Sequence, residues 1–335
     1  MGDCISVNFG AENCSIAGQN VDNVLKLRME NIAKHVPLQF PFSINIEPTS
    51  ACNLDCFFCP RTQSSKPSGF MNYDLFTKII DECATYNMVQ MINLHKDGEP
   101  LLHPLIVAMV RYIAEKGGSE KFGFTSNGIL LTKDMGRRLL SAGLNEINIS
   151  IDAATDETYR HIKGSNKYSV VVENVKRFLE SKPASVNASV SFIRMKENLS
   201  EEDAFVELWR KYDVKIALNE YHNWSGSIRD SSRSGGTPAS RYACENLFYA
   251  IVVNWNGIAS ICCVDWDSRE VVGDVNGQRL VDIWKGEPLR KIRELHLRGR
   301  AYEVKTCATC TYKSIENRRY IGGWLMQNRN RVMSY

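Results

Sequence analysis

Three cysteines, Cys52, Cys56 and Cys59, stand at C-x3-C-x2-C spacing directly after an alternating apolar run over 42–49. Three thiolates on one short loop can hold three irons of a [4Fe–4S] cluster, which usually takes four cysteines. One iron then keeps an open coordination position, and that vacancy is where chemistry could occur. A zinc knuckle is the rival reading. Zinc sites mostly use paired C-x2-C units with a fourth ligand nearby, and no such ligand lies near this loop. A second set comprises Cys244, Cys262 and the C-x2-C pair Cys307 and Cys310. The first two flank apolar runs at 248–255 and 258–264, joined at Asn256-Gly257, which is a strong hairpin signal. A hairpin brings its ends together, so four thiolates can meet at one small site. By spacing alone this second site fits zinc and a [4Fe–4S] cluster equally.

The elements that must carry these groups alternate. The run 42–49 reads as a strand, and the cysteine loop lies at its C-terminal end. Helices are expected at 73–86, 104–116, 132–142 (capped by Thr132), 169–179 and 201–212. Strands are expected at 91–94, 121–125, 146–151, 187–193 and 214–220. Six β–α steps imply a parallel sheet with helices outside, in either an open doubly wound sheet or a partial barrel. No G-x-G-x-x-G follows the first strand, which weakens a dinucleotide fold. Polar residues gather just after the strands: Asp97-Gly98-Glu99, Ser126-Asn127-Gly128, Asp152 and Arg194. Parallel barrels place their active sites at that rim. Segment 224–241 has six serines, three glycines and three arginines and reads as a linker or substrate-facing loop. Residues 1–19 read as a loose arm, 20–34 as a helix and 289–297 as a short basic helix behind Pro288.

The C-x3-C-x2-C motif resembles the signature of the radical S-adenosylmethionine (SAM) enzymes. That resemblance implies SAM chelated on the open iron and cleaved to a 5′-deoxyadenosyl radical that abstracts hydrogen from substrate. Asp97-Gly98-Glu99-Pro100 resembles the family's G-G-E-P motif, with Asp97 in place of the first glycine, and implies that Gly98 and Glu99 hold the SAM amino group. By the same resemblance Phe58 packs near adenine, and Asn127, Ser150 and Asp152 serve the sugar and methionine ends. Arg194 would reach the SAM carboxylate. Cys244…Gly257…Cys262, a C-x12-G-x4-C pattern, resembles the opening of the family's SPASM domain. With no cysteine after Cys310, the chain is similar to the shortened twitch version, found in a dehydrogenase of aminocyclitol synthesis, which holds one auxiliary [4Fe–4S] cluster. Gly273-Asp274-Val275 and Val281-Asp282-Ile283-Trp284 resemble the element that follows the hairpin there. The implied fold is α/β: a partial (β/α)6 TIM-type barrel followed by a small β-hairpin-plus-helix domain. Its expected divisions are an arm and helix at 1–41, barrel at 42–223, linker at 224–243, auxiliary-cluster domain at 244–315 and tail at 316–335.

The resemblance implies oxidation of a secondary alcohol on a small polar molecule, sugar- or aminocyclitol-like, with the auxiliary cluster accepting an electron. An external donor such as flavodoxin or ferredoxin would reduce the first cluster. Candidate substrate groups are Glu220, His222 and Arg229. An epimerase is the second reading and needs a thiol donor, Cys263 and then Cys14. Cys263 is expected on the opposite strand face from Cys262. A peptide-modifying enzyme is the third, although the roughly 40 residues before the first strand leave no room for a leader-binding domain. Cys83 is expected to be a buried apolar residue, and Cys4 has no partner at ligand spacing. The net charge of +3 over 335 residues argues against nucleic acid, and no apolar run approaches the ~18 residues that span a membrane. Eleven cysteines without an export signal point to metal ligation in a reducing cytoplasm.

Overall fold

The computed structural model describes residues 30, 33–63, 67–225, 227–228, 242–311 and 321–334. The arm, most of the 20–34 helix, Cys4, Cys14, Arg229 and most of the 224–241 segment lie outside them. The strand ahead of the cysteine loop forms as β1, Ser43–Ile46. It is followed by β2 Met91–Asn93, β3 Lys121–Ser126, β4 Glu146–Ser150, β5 Asn187–Arg194 and β6 Lys215–Glu220. Each is parallel to the next. The helices between them are α1 Tyr73–Tyr86, α2 Ile106–Lys116, α3 Lys133–Ser141, α4 Asp156–Lys163, α5 Tyr168–Ser181 and α6 Glu202–Trp209. The sheet runs β6-β5-β4-β3-β2-β1 and then continues, so β6 keeps a free edge and the barrel stays partial.

Local signals explain the boundaries. Asn72 caps α1 by accepting from the Asp74 and Leu75 N–H groups, and Asn87 ends it in the left-handed region at φ 48°. Thr132 caps α3 as expected, through the Met135 N–H. The sequence reading missed α4, which is only eight residues long. Its signals were present: Thr155 at the N-cap, Asp156 and Glu157 in the first turn and Gly164 just past the end, which suit the helix dipole and a left-handed cap.

The C-terminal hairpin joins the same sheet. Strand β7, Ala250–Val253, runs parallel to β1 on its other edge, and β8 Ile258–Ser260 and β9 Val271–Asp274 follow antiparallel. Gly257 turns the hairpin at φ +90°, where an added Cβ would also lie 2.3 Å from the Asn276 side chain. The two units are therefore continuous through β1. Helices α7 Asn246–Tyr249, α8 Leu280–Lys285, α9 Glu287–Leu297, α10 Gly323–Gln327 and α11 Arg329–Val332 complete the description. On α1, the Glu82 carboxylate accepts from the Leu280 and Val281 N–H groups at 2.8 Å each, which caps α8 and fixes the hairpin unit to the barrel. Among the described residues no helix is long and apolar enough to cross a membrane.

Every barrel strand alternates. Ile44, Ile92, Phe124, Ile149, Val190 and Leu218 point outward and are buried in the core under the helices. Asn45, Asn93, Thr125, Asn148, Ser191 and Asn219 point inward and line a cavity. Parallel strands covered on both faces usually read as continuous apolar runs, and barrel interiors are usually packed with branched apolar side chains. Here the interior is a belt of amides and hydroxyls. Asn93 Nδ2 donates to Asn45 Oδ1 at 3.0 Å, Asn148 Nδ2 to Ser191 Oγ at 3.0 Å, and Ser189 Oγ to Asn148 Oδ1 at 2.8 Å.

Candidate active site

The cavity has a volume of ≈ 360 Å³, and it opens at the C-terminal ends of the strands. Cys52, Cys56 and Cys59 line one side. Arg61 braces their loop, donating from Nη2 to Leu54 O at 2.6 Å and to Asp55 Oδ1 at 2.9 Å. Burial pushes all three thiols up, Cys59 to about 12. The unloaded cysteines are therefore protonated at neutral pH, and binding iron releases those protons.

The loop after β2 is pressed against the cysteine loop. An added Cβ on Gly98 would lie 2.2 Å from Thr49 O and 2.6 Å from Ala51 O. Both are backbone atoms just before Cys52, so no side chain fits. Gly98→Ala should displace that loop and lower SAM cleavage by ~10²-fold, the order of loss expected from a misplacement of about 1 Å; 5′-deoxyadenosine release measures it. Glu99 is buried and accepts three hydrogen bonds. Leu101 N–H and Ser126 Oγ donate to Oε1 at 3.0 and 2.8 Å, and Asn127 N–H to Oε2 at 2.7 Å. Burial pushes its carboxyl up, these donors opposing. A carboxylate has about four acceptor sites, so Oε2 keeps capacity for a ligand. Asn127 Nδ2 donates to Asn53 Oδ1 at 2.7 Å, which ties the end of β3 to the residue after Cys52. Asp97, at the position that departs from the family motif, lies 2.6 Å from Lys96 Nζ. Burial pushes its carboxyl up against that pull.

Asp152 is fully buried at φ +62° and is not part of the cavity lining. Its Oδ2 accepts from Lys163 Nζ and Ser150 Oγ, and its Oδ1 from the Ile193 N–H at 2.7 Å. Lys163, the last residue of α4, lines the cavity 5.3 Å from the centre of the Phe58 ring. Burial alone would lower the Lys163 ammonium, but Asp152 and then Cys56 more than offset it and hold it raised. Sequence reasoning missed Lys163 because it missed α4. Arg194 also falls outside the lining: Nε and Nη2 bind the Glu202 carboxylate at 2.7 Å each, and Nη1 binds Glu220 at 3.0 Å. It positions Glu220, which does line the cavity together with Phe58, Ser150 and His222. Burial pushes His222 down to about 4, and its Nδ1 accepts from the Trp224 N–H at 3.3 Å.

Side-chain contacts hold the segments that carry the second cysteine set. Cys244 and Cys310 are buried, and Cys262 and Cys307 half-buried. Asn246, two residues past Cys244, approaches Cys262 Sγ at 4.0 Å. Thr306, beside Cys307, donates from Oγ1 to Asp265 Oδ1 at 2.9 Å, three residues past Cys262. After Cys310, Thr311 Oγ1 accepts from the Asn223 N–H at 3.1 Å, which holds this segment against the end of β6. Cys262 and Cys263 both line the cavity. The expectation that Cys263 faces away fails because β8 ends at Ser260 and alternation stops there. Cys83 is buried in the core as expected. Among the described residues no three Cys, His, Asp or Glu side chains converge on the position of one metal ion.

Residues 46–206 match the radical SAM superfamily, and residues 244–311 match the SPASM iron–sulfur cluster-binding domain. The chain belongs to the radical SAM superfamily. Its two domains imply SAM and two [4Fe–4S] clusters as cofactors. Thiols in two separate sets, one with three cysteines and one with four, suit that donor requirement. The radical SAM chain is 30% identical to the GTP 3′,8-cyclase of Chlorobaculum tepidum over 177 residues, 53% of this chain and 52% of that one. The match thus spans about half the length of that relative. Among solved structures, BtrN in complex with AdoMet and 2-DOIA has a TM-score of 0.58 at 19% identity, covering 81% of this chain and 93% of that chain. SuiB of Streptococcus suis bound to precursor peptide SuiA has a TM-score of 0.59 at 17% identity, covering 88% and 76%. At such identities the likeness concerns the fold.

Proposed function

We propose that this radical SAM enzyme oxidises a secondary alcohol of a small polar, sugar- or aminocyclitol-like molecule to a ketone. The observation that carries the reading is one cavity bordered by Cys52, Cys56 and Cys59 and also by Cys262. When bound, SAM and the two clusters supply one-electron chemistry: hydrogen abstraction from carbon, and acceptance of the remaining electron. In this reading Cys52, Cys56 and Cys59 hold the first cluster, and Cys244, Cys262, Cys307 and Cys310 complete the second. With four protein thiolates the second cluster has no position for substrate, which suits electron acceptance alone. Phe58, Gly98, Glu99, Asn127, Ser150 and Lys163 form the SAM side of the cavity. The belt of Asn45, Asn93, Thr125, Asn148, Ser191 and Asn219 offers uncharged donors and acceptors matched to hydroxyl groups. The fold likeness to BtrN, whose complex holds 2-DOIA, supports a small ligand.

The reduced donor would be a flavodoxin or ferredoxin, and eleven cysteines read mainly as cluster ligands suit a reducing cytoplasm. Nucleic acid has no part in this reading. A substrate carrying deuterium at the carbinol carbon should give deuterated 5′-deoxyadenosine, measured by mass spectrometry. Its failure to appear with any cyclitol or amino sugar would sink the proposal. The epimerase is the second reading, favoured by Cys263 at the cavity wall; there a thiol hydrogen, rather than electron loss, would end the reaction.

A further inference from the structure

His95 follows β2 two residues beyond Asn93, and both line the cavity. Its Nδ1 is buried and has no hydrogen-bond partner among the described residues. A buried polar atom left unpaired destabilises the fold, and such an atom in a native site calls for an explanation. A ligand that supplies the missing partner is one.

The surrounding charges do not supply it. Lys96 is bound to Asp97 and donates to Trp266 O at 3.3 Å. Glu47 accepts from the Asp97 and Trp255 N–H groups. Asp265 accepts from Arg269, Glu270 and Thr306. Elsewhere in the lining, Glu99 is held by Ser126 and Asn127, Lys163 by Asp152, Glu220 by Arg194, and the His222 ring by Trp224. Burial is what acts on His95, and it pushes the imidazole down to about 4. The ring is neutral across the working pH range and carries one lone pair.

We infer that His95 is the catalytic base that takes the hydroxyl proton of the substrate alcohol. The inference rests on the alcohol-oxidation reading above. Converting a carbinol to a ketone removes one hydrogen atom from carbon, one proton from oxygen and one further electron. The C–H and O–H bonds break and the second C–O bond forms. SAM, once reductively cleaved at the first cluster, would supply the acceptor of the hydrogen atom and the oxidised auxiliary cluster the acceptor of the electron, while the His95 imidazole takes the proton from the hydroxyl oxygen and passes it to solvent. The hydroxyl on a carbon radical is a stronger acid than the parent alcohol, which eases transfer of its proton to a neutral imidazole.

The test uses the holoenzyme with SAM, reductant and four probes: scyllo-inositol, myo-inositol, 2-deoxy-scyllo-inosamine and glucosamine. Wild type should oxidise at least one. His95→Gln should lose ketone formation by ~10²-fold or more while 5′-deoxyadenosine formation changes by less. The pH dependence of melting gives a second readout. Above the ordinary histidine value of 6.5 the imidazole is neutral folded or unfolded. As pH falls the unfolded chain protonates first, and the folded ring not until about 4, so His95 makes stability fall with pH across that window. His95→Gln should melt with a shallower fall between pH 7 and 5. His95→Asn serves as a second variant if His95→Gln does not load its iron. Ketone formation at the wild-type rate in either variant, or an unchanged melting slope, overturns the inference. Failure of wild type on all four probes overturns the alcohol-oxidation reading beneath it.

Discussion

Replacing Cys52, Cys56 and Cys59 together with alanine should lower the iron content from about eight to about four atoms per chain and abolish SAM cleavage. The four remaining thiols of the SPASM domain are positioned by Asn246, Thr306 and Thr311, not by the barrel loop. Their iron should therefore stay. The barrel loop offers no substitute thiol among the described residues, since Cys83 is buried in the core on α1. Iron and labile-sulfide analysis of anaerobically purified protein checks the first half, and 5′-deoxyadenosine release the second. Full iron content in the triple variant would contradict the assignment of the cysteines.

The largest stability effect should come from Asp152→Ala. Lys163 and Asp152 form a buried pair, with 3% and 0% of their side chains exposed. Removing the carboxylate leaves an uncompensated ammonium inside the protein, at a cost of about 3–5 kcal/mol. For a chain of this size that should lower the melting temperature by on the order of 10 °C. SAM cleavage should fall as well, because the end of α4 supports the cysteine loop through the Phe57 N–H donating to Ile162 O at 3.2 Å. Combining Asp152→Ala with Lys163→Met removes the stranded charge and should recover most of the stability, as thermal melting of the double variant will report. If the single variant melts like wild type, the pair does not have the role assigned to it.

The strand–helix order and most element ends were legible because the apolar residues keep strict periods and the caps are strong: Asn72 and Thr132 each accept from the backbone of the helix they begin. The polar interior was legible too. Alternation in Ser43-Ile44-Asn45-Ile46 and Glu146-Ile147-Asn148-Ile149-Ser150 identifies strands, but in a parallel barrel it also means that one face is polar. What sequence could not give was partnership. Asp152 and Arg194 lie at the expected rim, yet Lys163 and Glu202 claim them. The ladder between β1 and β7 joins residues about 200 apart, which no local pattern encodes. Cys263 was misplaced because period-2 reasoning was carried past the end of β8.

The central claim is that one cavity takes a hydrogen atom from an alcohol carbon and loses the remaining electron to the SPASM cluster. Mass spectrometry of the product formed in deuterated water tests it most directly. The account predicts a product two hydrogens lighter than the substrate, with no solvent deuterium on carbon. A product that keeps all its hydrogens and gains one deuterium, and no longer does so in Cys263→Ala, would contradict it and establish the epimerase.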